Sequence, residues 1–198
     1  MSANAVRAKW DQAYAACAEV EPAPAAVLAE HAHLLPSEGV ALDVACGLGG
    51  NALFLARKGL RVSAWDISPV ALAKLAARAG SLGLKIQTQE RDVATIAFPH
   101  EAFEVVTVSH FLDRSLTNAL IESLKPGGLL FYQTYLREKL NPAGPCNPEY
   151  LLGENELLSL FGTLRVLFYR EDGRVGDLTV GDRNEASFIG QKRLPSDL

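Results

Sequence analysis

The sequence predicts an α/β domain built on a mostly parallel, doubly wound sheet with helices on both faces. From residue 40 onward, apolar runs rich in β-branched residues alternate with segments of helical periodicity, which is typical of β-α-β units. Each run is apolar at most positions, as a strand buried on both faces should be. A glycine-rich turn follows the first run and opens a helix, so we expect a ligand site at the carboxyl ends of the strands.

The first two thirds of the chain contain five predicted strands and three predicted helices. The strands lie near Val40–Ala45, Arg61–Asp66, Lys85–Gln89, Glu104–Ser109 and Gly128–Thr134, and the helices over Asn51–Lys58, Ser68 to about Ala79, and Leu116–Leu124. Gly59 is a natural C-cap for the first helix, and Ser68 followed by Pro69 is a typical start for the second. Pro126 and the two glycines after it end the third helix.

The last third of the chain changes character. Arg137–Tyr150 carries three prolines and one glycine, so we predict an irregular functional loop there. Glu154–Phe161 is predicted as a helix, and Leu164–Arg170 and Ala186–Gln191 as strands that pair antiparallel at a sheet edge. The tail Leu194–Leu198 is expected to be loose.

Composition limits the class of protein. The 198 residues suit a single domain, with a helical segment over 1–38, a core over 39–193 and a tail over 194–198. No apolar stretch is long enough to span a bilayer and no secretory signal is visible, so neither a membrane nor export is expected. The three cysteines lack a C-x-x-C spacing, which predicts a reducing cytoplasm and no structural metal.

The charge pattern indicates which partners to expect. The net charge is −4, and the basic residues are scattered rather than clustered, which argues against nucleic acid. A small molecule is the expected partner, and the chain could act as a monomer or a homodimer.

The glycine-rich turn leaves two cofactors open. Gly47-x-Gly49-x-x-Ala52 satisfies the loose dinucleotide fingerprint, so the glycines do not separate a nicotinamide cofactor from S-adenosylmethionine. Asp43 favours S-adenosylmethionine, because a carboxylate repels a pyrophosphate but attracts an ammonium and a sulfonium. The alternative is that Asp43 only caps the turn by accepting backbone N–H bonds.

Two further carboxylates follow later strands. Asp66 ends the second strand, where an acidic residue accepts hydrogen bonds from ribose hydroxyls. Its alternative role, the N-cap of the next helix, is already filled by Ser68. Asp92 follows the third strand and could accept from the exocyclic amine of adenine, although a plain surface turn residue explains it equally well.

Four blocks in order carry a resemblance to a known family. They are Leu42–Gly49, Val62–Ser68, Arg91–Val93 and Leu124–Gly128. With these blocks the chain resembles, over nearly its whole length, the class I, Rossmann-like S-adenosylmethionine-dependent methyltransferases. The segments that most resemble tellurite-resistance (TehB-type) methyltransferases are Trp10-Asp11 with Tyr14, Gly50–Ala52, and Asn147-Pro148 with Leu151-Leu152.

The resemblance implies a seven-stranded sheet of order 3-2-1-4-5-7-6, with S-adenosylmethionine at the carboxyl ends of strands one, two and four. Two positions depart from the family: its usual first glycine is Ala45 here, and the arginine usual in TehB-type proteins is Gly50. Trp10 and Tyr14 would be a lid or hydrophobic anchors, and Cys46 a small packing residue. The cofactor residues implied are Asp43, Ala45, Cys46, Gly47, Gly49, Asn51, Asp66, Ile67, Asp92, Val93, Ser109, Trp10 and Tyr14.

Methyl transfer from a sulfonium is an in-line displacement, so alignment is the main task of the protein. A base helps where the acceptor is a thiol or hydroxyl, and His110, just past the fourth strand, is the predicted candidate. Arg114, together with Arg137, could hold an anionic acceptor by forked hydrogen bonds, and Tyr132 or Tyr135 could wall the pocket. Packing and solvation are the alternative roles of all these side chains.

The predicted function is methyl transfer from S-adenosylmethionine to a small molecule such as a tellurium or selenium oxyanion, a thiol or a small metabolite. An NAD-dependent oxidoreductase and a non-catalytic metabolite-binding module are the alternatives. Asp43 argues against the first alternative. The cofactor blocks, together with a proline-rich loop able to close over a substrate, argue against the second.

Overall fold

Seven strands form one sheet in the computed structural model, which describes residues 3–18, 20–194 and 196. The strands are β1 (Val40–Val44), β2 (Arg61–Asp66), β3 (Ile86–Glu90), β4 (Phe103–Ser109), β5 (Leu124–Tyr135), β6 (Arg165–Arg170) and β7 (Glu185–Gln191). Their order is β3-β2-β1-β4-β5-β7-β6. β1 to β5 pair in parallel, whereas β7 is antiparallel to both β5 and β6. The predicted fold class and strand order are confirmed.

Helices cover both faces of the sheet. They are α1 (Ala3–Ala16), α2 (Ala26–Glu30), α3 (Gly50–Arg57), α4 (Pro69–Ser81), α5 (Thr117–Ser123) and α6 (Glu156–Leu160). Successive strand residues point to opposite faces, so Ala41 packs with side chains of α2, α3 and α4, and Leu42 packs with side chains of α5 and α6. Within the described residues, no helix is long and apolar enough to cross a membrane.

The start of α4 forms as its sequence predicts. The Ser68 hydroxyl accepts the Ala71 N–H at 3.2 Å, and Pro69 is the first helical residue. Such a cap satisfies a backbone donor that has no partner within the helix. The cap thereby fixes the connection between the carboxyl end of β2, at Asp66, and the start of α4.

The predicted start of β5 was four residues too late. The strand begins at Leu124, which pairs with Phe103, and the register shifts before Val105 pairs with Leu129. This irregularity accommodates Pro126 within the strand, where a proline otherwise costs a ladder hydrogen bond.

The predicted loop Arg137–Tyr150 is irregular except for a short 3-10 turn at Pro148–Tyr150. Asn147 caps this turn by accepting the Glu149 N–H at 3.1 Å. Of the predicted tail, residues 195, 197 and 198 lie outside the described residues.

Candidate active site

A cavity of about 840 Å³ opens at the carboxyl ends of β1 to β4. Its walls come from the segments that follow these strands, from α1, and from residues 22–23 and 149–150. Of the predicted site residues, it is lined by Trp10, Tyr14, Ala45, Cys46, Gly47, Gly49, Asn51, Asp66, Ile67, Asp92, Val93, Ser109, His110 and Arg114. Asp43 is not among the lining residues.

The turn between β1 and α3 has a left-handed backbone at three positions. Ala45, Gly47 and Gly49 have φ angles of 51°, 52° and 81°. A side chain at Gly47 would be strained, and its Cβ would also lie 2.8 Å from the hydroxyl oxygen of Tyr14. Ala45 adopts a conformation that favours glycine, so an alanine is strained there.

Asp43 is buried beneath this turn, with 1% of its surface exposed. One carboxylate oxygen accepts the Ala52 N–H at 3.0 Å, and the other accepts the Thr107 hydroxyl at 3.0 Å. Burial raises the pKa of Asp43 to about 7, although these hydrogen bonds favour the charged form and lower it. These contacts match the capping alternative, since the carboxylate serves the first turn of α3 and does not reach the cavity wall.

Asp66 lies at the cavity wall and is 4% exposed. Its two oxygens accept the Gly47 and Ser68 N–H groups, each at 2.8 Å. Burial raises the pKa of Asp66, while the two backbone hydrogen bonds stabilise its charged form. Each carboxylate oxygen can accept more than one hydrogen bond, so Asp66 retains acceptor capacity toward the cavity.

Other predicted cofactor residues lie close by. Asp92 forms a local turn by accepting the Ala94 N–H at 3.3 Å. Asn51 donates to the Ser109 hydroxyl at 2.9 Å, which links the turn to the end of β4. Burial raises the pKa of the Cys46 thiol well above its ordinary value, so Cys46 is a packing residue rather than a reactive thiolate.

Helix α1 covers the cavity and is held by polar contacts. Trp10 and Tyr14 both line the cavity, with ring centroids 5.6 Å apart. The Ser68 hydroxyl donates to Asp11 at 2.5 Å, and the Lys74 ammonium donates to the carbonyl of Tyr14 at 2.8 Å. Because α1 buries none of its residues, these contacts, rather than a hydrophobic interface, keep it over the site.

His110 follows β4 with a left-handed φ of 54°. Its backbone N–H donates to the backbone carbonyl of Gln133 at 2.9 Å, and its ring stacks on that of Tyr135 with centroids 5.0 Å apart. Nε2 of the ring lies 2.9 Å from a carboxylate oxygen of Glu185. This hydrogen bond raises the pKa of His110, against the opposing effect of burial.

Glu185 was missed by sequence reasoning. It is the first residue of β7 and lies 75 positions after His110. The antiparallel pairing of β5 and β7, in which Tyr135 opposes Glu185, brings the two side chains together. No local motif signals such a contact. The only signal in the sequence is an acidic residue just before the predicted start of a strand that pairs antiparallel near the edge of the sheet.

Arg114 lines the cavity, but most of its donors are engaged within the protein. Its guanidinium forms a forked pair with Glu156 at 2.5 and 2.9 Å, and donates to the carbonyls of Glu149 and Leu151 at 2.6 and 3.0 Å. Four of its five N–H donors are thus used within the protein. The side chain fastens the 3-10 turn to α6 and does not offer a fork to an anionic acceptor.

The remaining predicted pocket residues are more distant. Arg137 is not among the residues that line the cavity. Tyr132 is buried in the core and donates its hydroxyl to the carbonyl of Phe111 at 2.9 Å. Tyr135 is not among the lining residues either, although its ring stacks on that of His110.

The turn fits S-adenosylmethionine better than a dinucleotide. A pyrophosphate binds free N–H groups at a helix N-terminus, but here the Gly47 and Ala52 N–H groups already donate to Asp66 and Asp43. The cavity has the size of small-molecule sites, and its carboxylates suit a ligand with hydroxyl groups and positive charge.

Comparison with known proteins agrees with this chemistry. Residues 41–128 match the family model described as a methyltransferase domain. Phosphoethanolamine N-methyltransferase 1 of Arabidopsis thaliana is 30% identical over 128 residues, which cover 62% of this chain and 26% of the relative. Ubiquinone biosynthesis O-methyltransferase of Azoarcus sp. (strain BH72) is 33% identical over 118 residues, covering 56% of this chain and 51% of the relative. The chain thus spans about a quarter to a half of the length of these relatives.

The strand order and the match of residues 41–128 give the chain a Rossmann-like fold similar to that of methyltransferase domains. In fold the chain resembles TehB from Haemophilus influenzae, with a TM-score of 0.70 at 22% identity over 86% of this chain and 63% of that one.

Proposed function

We propose that the chain transfers the methyl group of S-adenosylmethionine to a small-molecule acceptor bound beside His110. The observation that carries the proposal is that the cofactor turn and His110 line the same cavity. When bound, the cofactor supplies a methyl group on a sulfonium that is a good leaving group. In this assignment Asp66 accepts from the ribose hydroxyls, Asp92 from the adenine amine, and Trp10 and Tyr14 exclude water above the cofactor.

The charges of the wall support a neutral or cationic acceptor over an oxyanion. Asp66, Asp92, Asp113 and Glu149 all line the cavity. Arg114 is held by Glu156, as described. The other guanidinium of the wall, that of Arg91, donates to Gln89 at 3.2 and 3.1 Å. Arg114 therefore has no fork left for a tellurium or selenium oxyanion, and Gln89 engages two of the five N–H donors of Arg91.

A labelled-methyl transfer assay tests the proposal. The full chain would be incubated with methyl-labelled S-adenosylmethionine and a phenol, a thiol, an amine, tellurite or selenite, one at a time. Methylation of a phenol, a thiol or an amine in preference to the oxyanions is expected. Preferred methylation of tellurite or selenite would contradict the acceptor class. The absence of transfer to any acceptor, with tight cofactor binding, would favour a non-catalytic binding module.

The setting of the reaction follows from composition. We propose that the protein works in the cytoplasm, as a monomer or homodimer, because its cysteines and charge pattern are those expected there.

A further inference from the structure

The carboxylate of Glu185 contacts His110, and Glu185 is not among the residues that the sequence predicted for the site. We propose that Glu185 is a positioning residue that makes His110 a general base, so that the acceptor is a hydroxyl or thiol compound which loses its proton during methylation. This inference rests on the proposed function and adds the class of acceptor to it.

A continuous chain of hydrogen bonds fixes Glu185. One of its oxygens contacts Nε2 of His110 at 2.9 Å, and the other accepts from the Gln133 side-chain amide at 2.6 Å. The amide oxygen of Gln133 in turn accepts the Val27 N–H at 2.9 Å. Because Gln133 is 5% exposed and anchored at both ends, the carboxylate has little freedom to turn away from the imidazole.

The contact defines which ring nitrogen is basic. A carboxylate accepts hydrogen bonds, so Nε2 of His110 carries the hydrogen and Nδ1 carries the lone pair in the neutral ring. Within the part of the chain that the structure describes, Nδ1 has no hydrogen-bond partner, and His110 lines the cavity. The arrangement resembles the acid-oriented histidine of hydrolytic triads, with the acceptor in the place of the nucleophile.

The groups that face His110 favour its protonated form. Glu185 faces it from β7, Asp182 from the segment before β7, and the ring of Tyr135 from β5. Both carboxylates raise the pKa of His110. Although burial opposes it, hydrogen bonding from His110 and Gln133 holds the pKa of Glu185 below its ordinary value. Glu185 therefore stays charged and stabilises the imidazolium that forms when His110 takes a proton.

Methylation forms one bond at the acceptor and breaks one bond at the cofactor. The acceptor oxygen or sulfur forms a bond to the methyl carbon while the carbon–sulfur bond breaks, and the electron pair of that bond stays on the sulfur of the departing S-adenosylhomocysteine. The acceptor proton moves to Nδ1 of His110. An amine gains less from such a base, because its lone pair can attack before the proton is lost.

The first test measures His110 without turnover. Nitrogen-15 NMR of the ligand-free full chain gives the pKa and tautomer of His110 in wild type, Glu185→Gln, Glu185→Asp and the control Glu101→Gln. Glu101 pairs with Lys192 and precedes β4, so it lies at the amino end of the strand whose carboxyl end leads to His110. We expect Glu185→Gln to lower the pKa and to mix the tautomers, Glu185→Asp to recover part of both, and the control to match wild type.

The second test follows the pH dependence of turnover on a phenol or thiol acceptor. Glu185→Gln should lower kcat by about 10²-fold, the lower end of general-base effects, with little change in the KM of the acceptor. The acid limb of its kcat profile should move to lower pH together with the measured pKa.

Several outcomes would overturn the proposal. They are an unchanged His110 pKa and tautomer in Glu185→Gln, a kcat loss without movement of the acid limb, and preference for an amine. If Glu185→Gln does not fold, the proposal is tested by the tautomer of His110 in wild type and by the pKa of His110 in Glu185→Asp. Every variant should still bind S-adenosylhomocysteine. If the variants bind it but the role of Glu185 fails, the proposed function stands, whereas loss of this binding in wild type would contradict the proposed function itself.

Discussion

Gly50 has no space for a side chain, because its Cβ would lie 2.2 Å from the carbonyl oxygen of Ala23. The segment that contains Ala23 is attached to the turn by the Ala25 N–H, which donates to the Asn51 side chain at 2.8 Å. A backbone atom cannot move aside as a flexible side chain can. Gly50 therefore lets the segment before α2 pack on the turn between β1 and α3.

Replacing Gly50 with alanine should displace this segment. We expect Gly50→Ala to reduce the free energy of unfolding in urea by about 1–3 kcal/mol, as overpacking does, and to weaken binding of S-adenosylhomocysteine. Gly80→Ala is the matched control, because Gly80 lies in α4 with nothing near its Cβ position. That control should gain about 0.5–1 kcal/mol. Wild-type stability in Gly50→Ala would show that the contact is unimportant.

Ala45→Gly should stabilise the protein. A left-handed alanine costs roughly 1–2 kcal/mol, whereas the extra freedom of glycine in the unfolded chain costs about 0.4–1 kcal/mol. The net gain in the free energy of unfolding should be between zero and about 1.6 kcal/mol. Ala76→Gly, at an exposed position within α4, should instead lose about 1 kcal/mol. A loss in both variants would contradict the left-handed conformation of Ala45.

Asp43 should make stability depend on pH. Burial raises its pKa from 3.8 to about 7 in the folded protein, so the folded state binds the proton more tightly than the unfolded state. This contribution to stability is complete below about pH 4 and is lost as pH rises through about 7. Relative to wild type, Asp43→Asn should therefore gain unfolding free energy between these pH values and level off above them. Parallel stability curves for the two proteins across this range would refute the prediction.

Arg114→Ala should lower stability. Its loss leaves Glu156 and the carbonyls of Glu149 and Leu151 without their donor. We expect a loss of about 1–3 kcal/mol, since the pair is partly exposed. In a double-mutant cycle, Arg114→Ala and Glu156→Ala together should cost less than the sum of the two single changes. An unaltered melting temperature with strongly reduced turnover would restore Arg114 as a group that binds the acceptor.

The sequence contains local signals for much of the fold and of the cofactor turn. Ser68 with Pro69 marks the start of α4, and the strands are continuous apolar runs, because these features depend on neighbouring residues. The backbone angle of Ala45 and the early start of β5 at Leu124 depend on pairing between strands. The contact of His110 with Glu185, 75 residues apart, arises only when β7 inserts beside β5.

Arg114 illustrates a second limit of sequence reasoning. An arginine near a predicted site is equally compatible with binding a ligand and with joining parts of the protein. The choice depends on whether Glu156 and two carbonyls reach the guanidinium, and that is a property of the folded loop. In the same way, the buried position of Asp43 separates capping from direct ligand contact.

Calorimetric titration of the full chain with S-adenosylhomocysteine and, separately, with NAD tests the central claim most directly. The site described here predicts one S-adenosylhomocysteine per chain and no heat with NAD, because two N–H groups of the turn, those of Gly47 and Ala52, already donate to Asp66 and Asp43. Asp66→Ala should weaken binding by a few kcal/mol, at roughly 1.5–3 kcal/mol for each hydrogen bond to a charged group. Tight binding of NAD with no heat from S-adenosylhomocysteine would contradict the account.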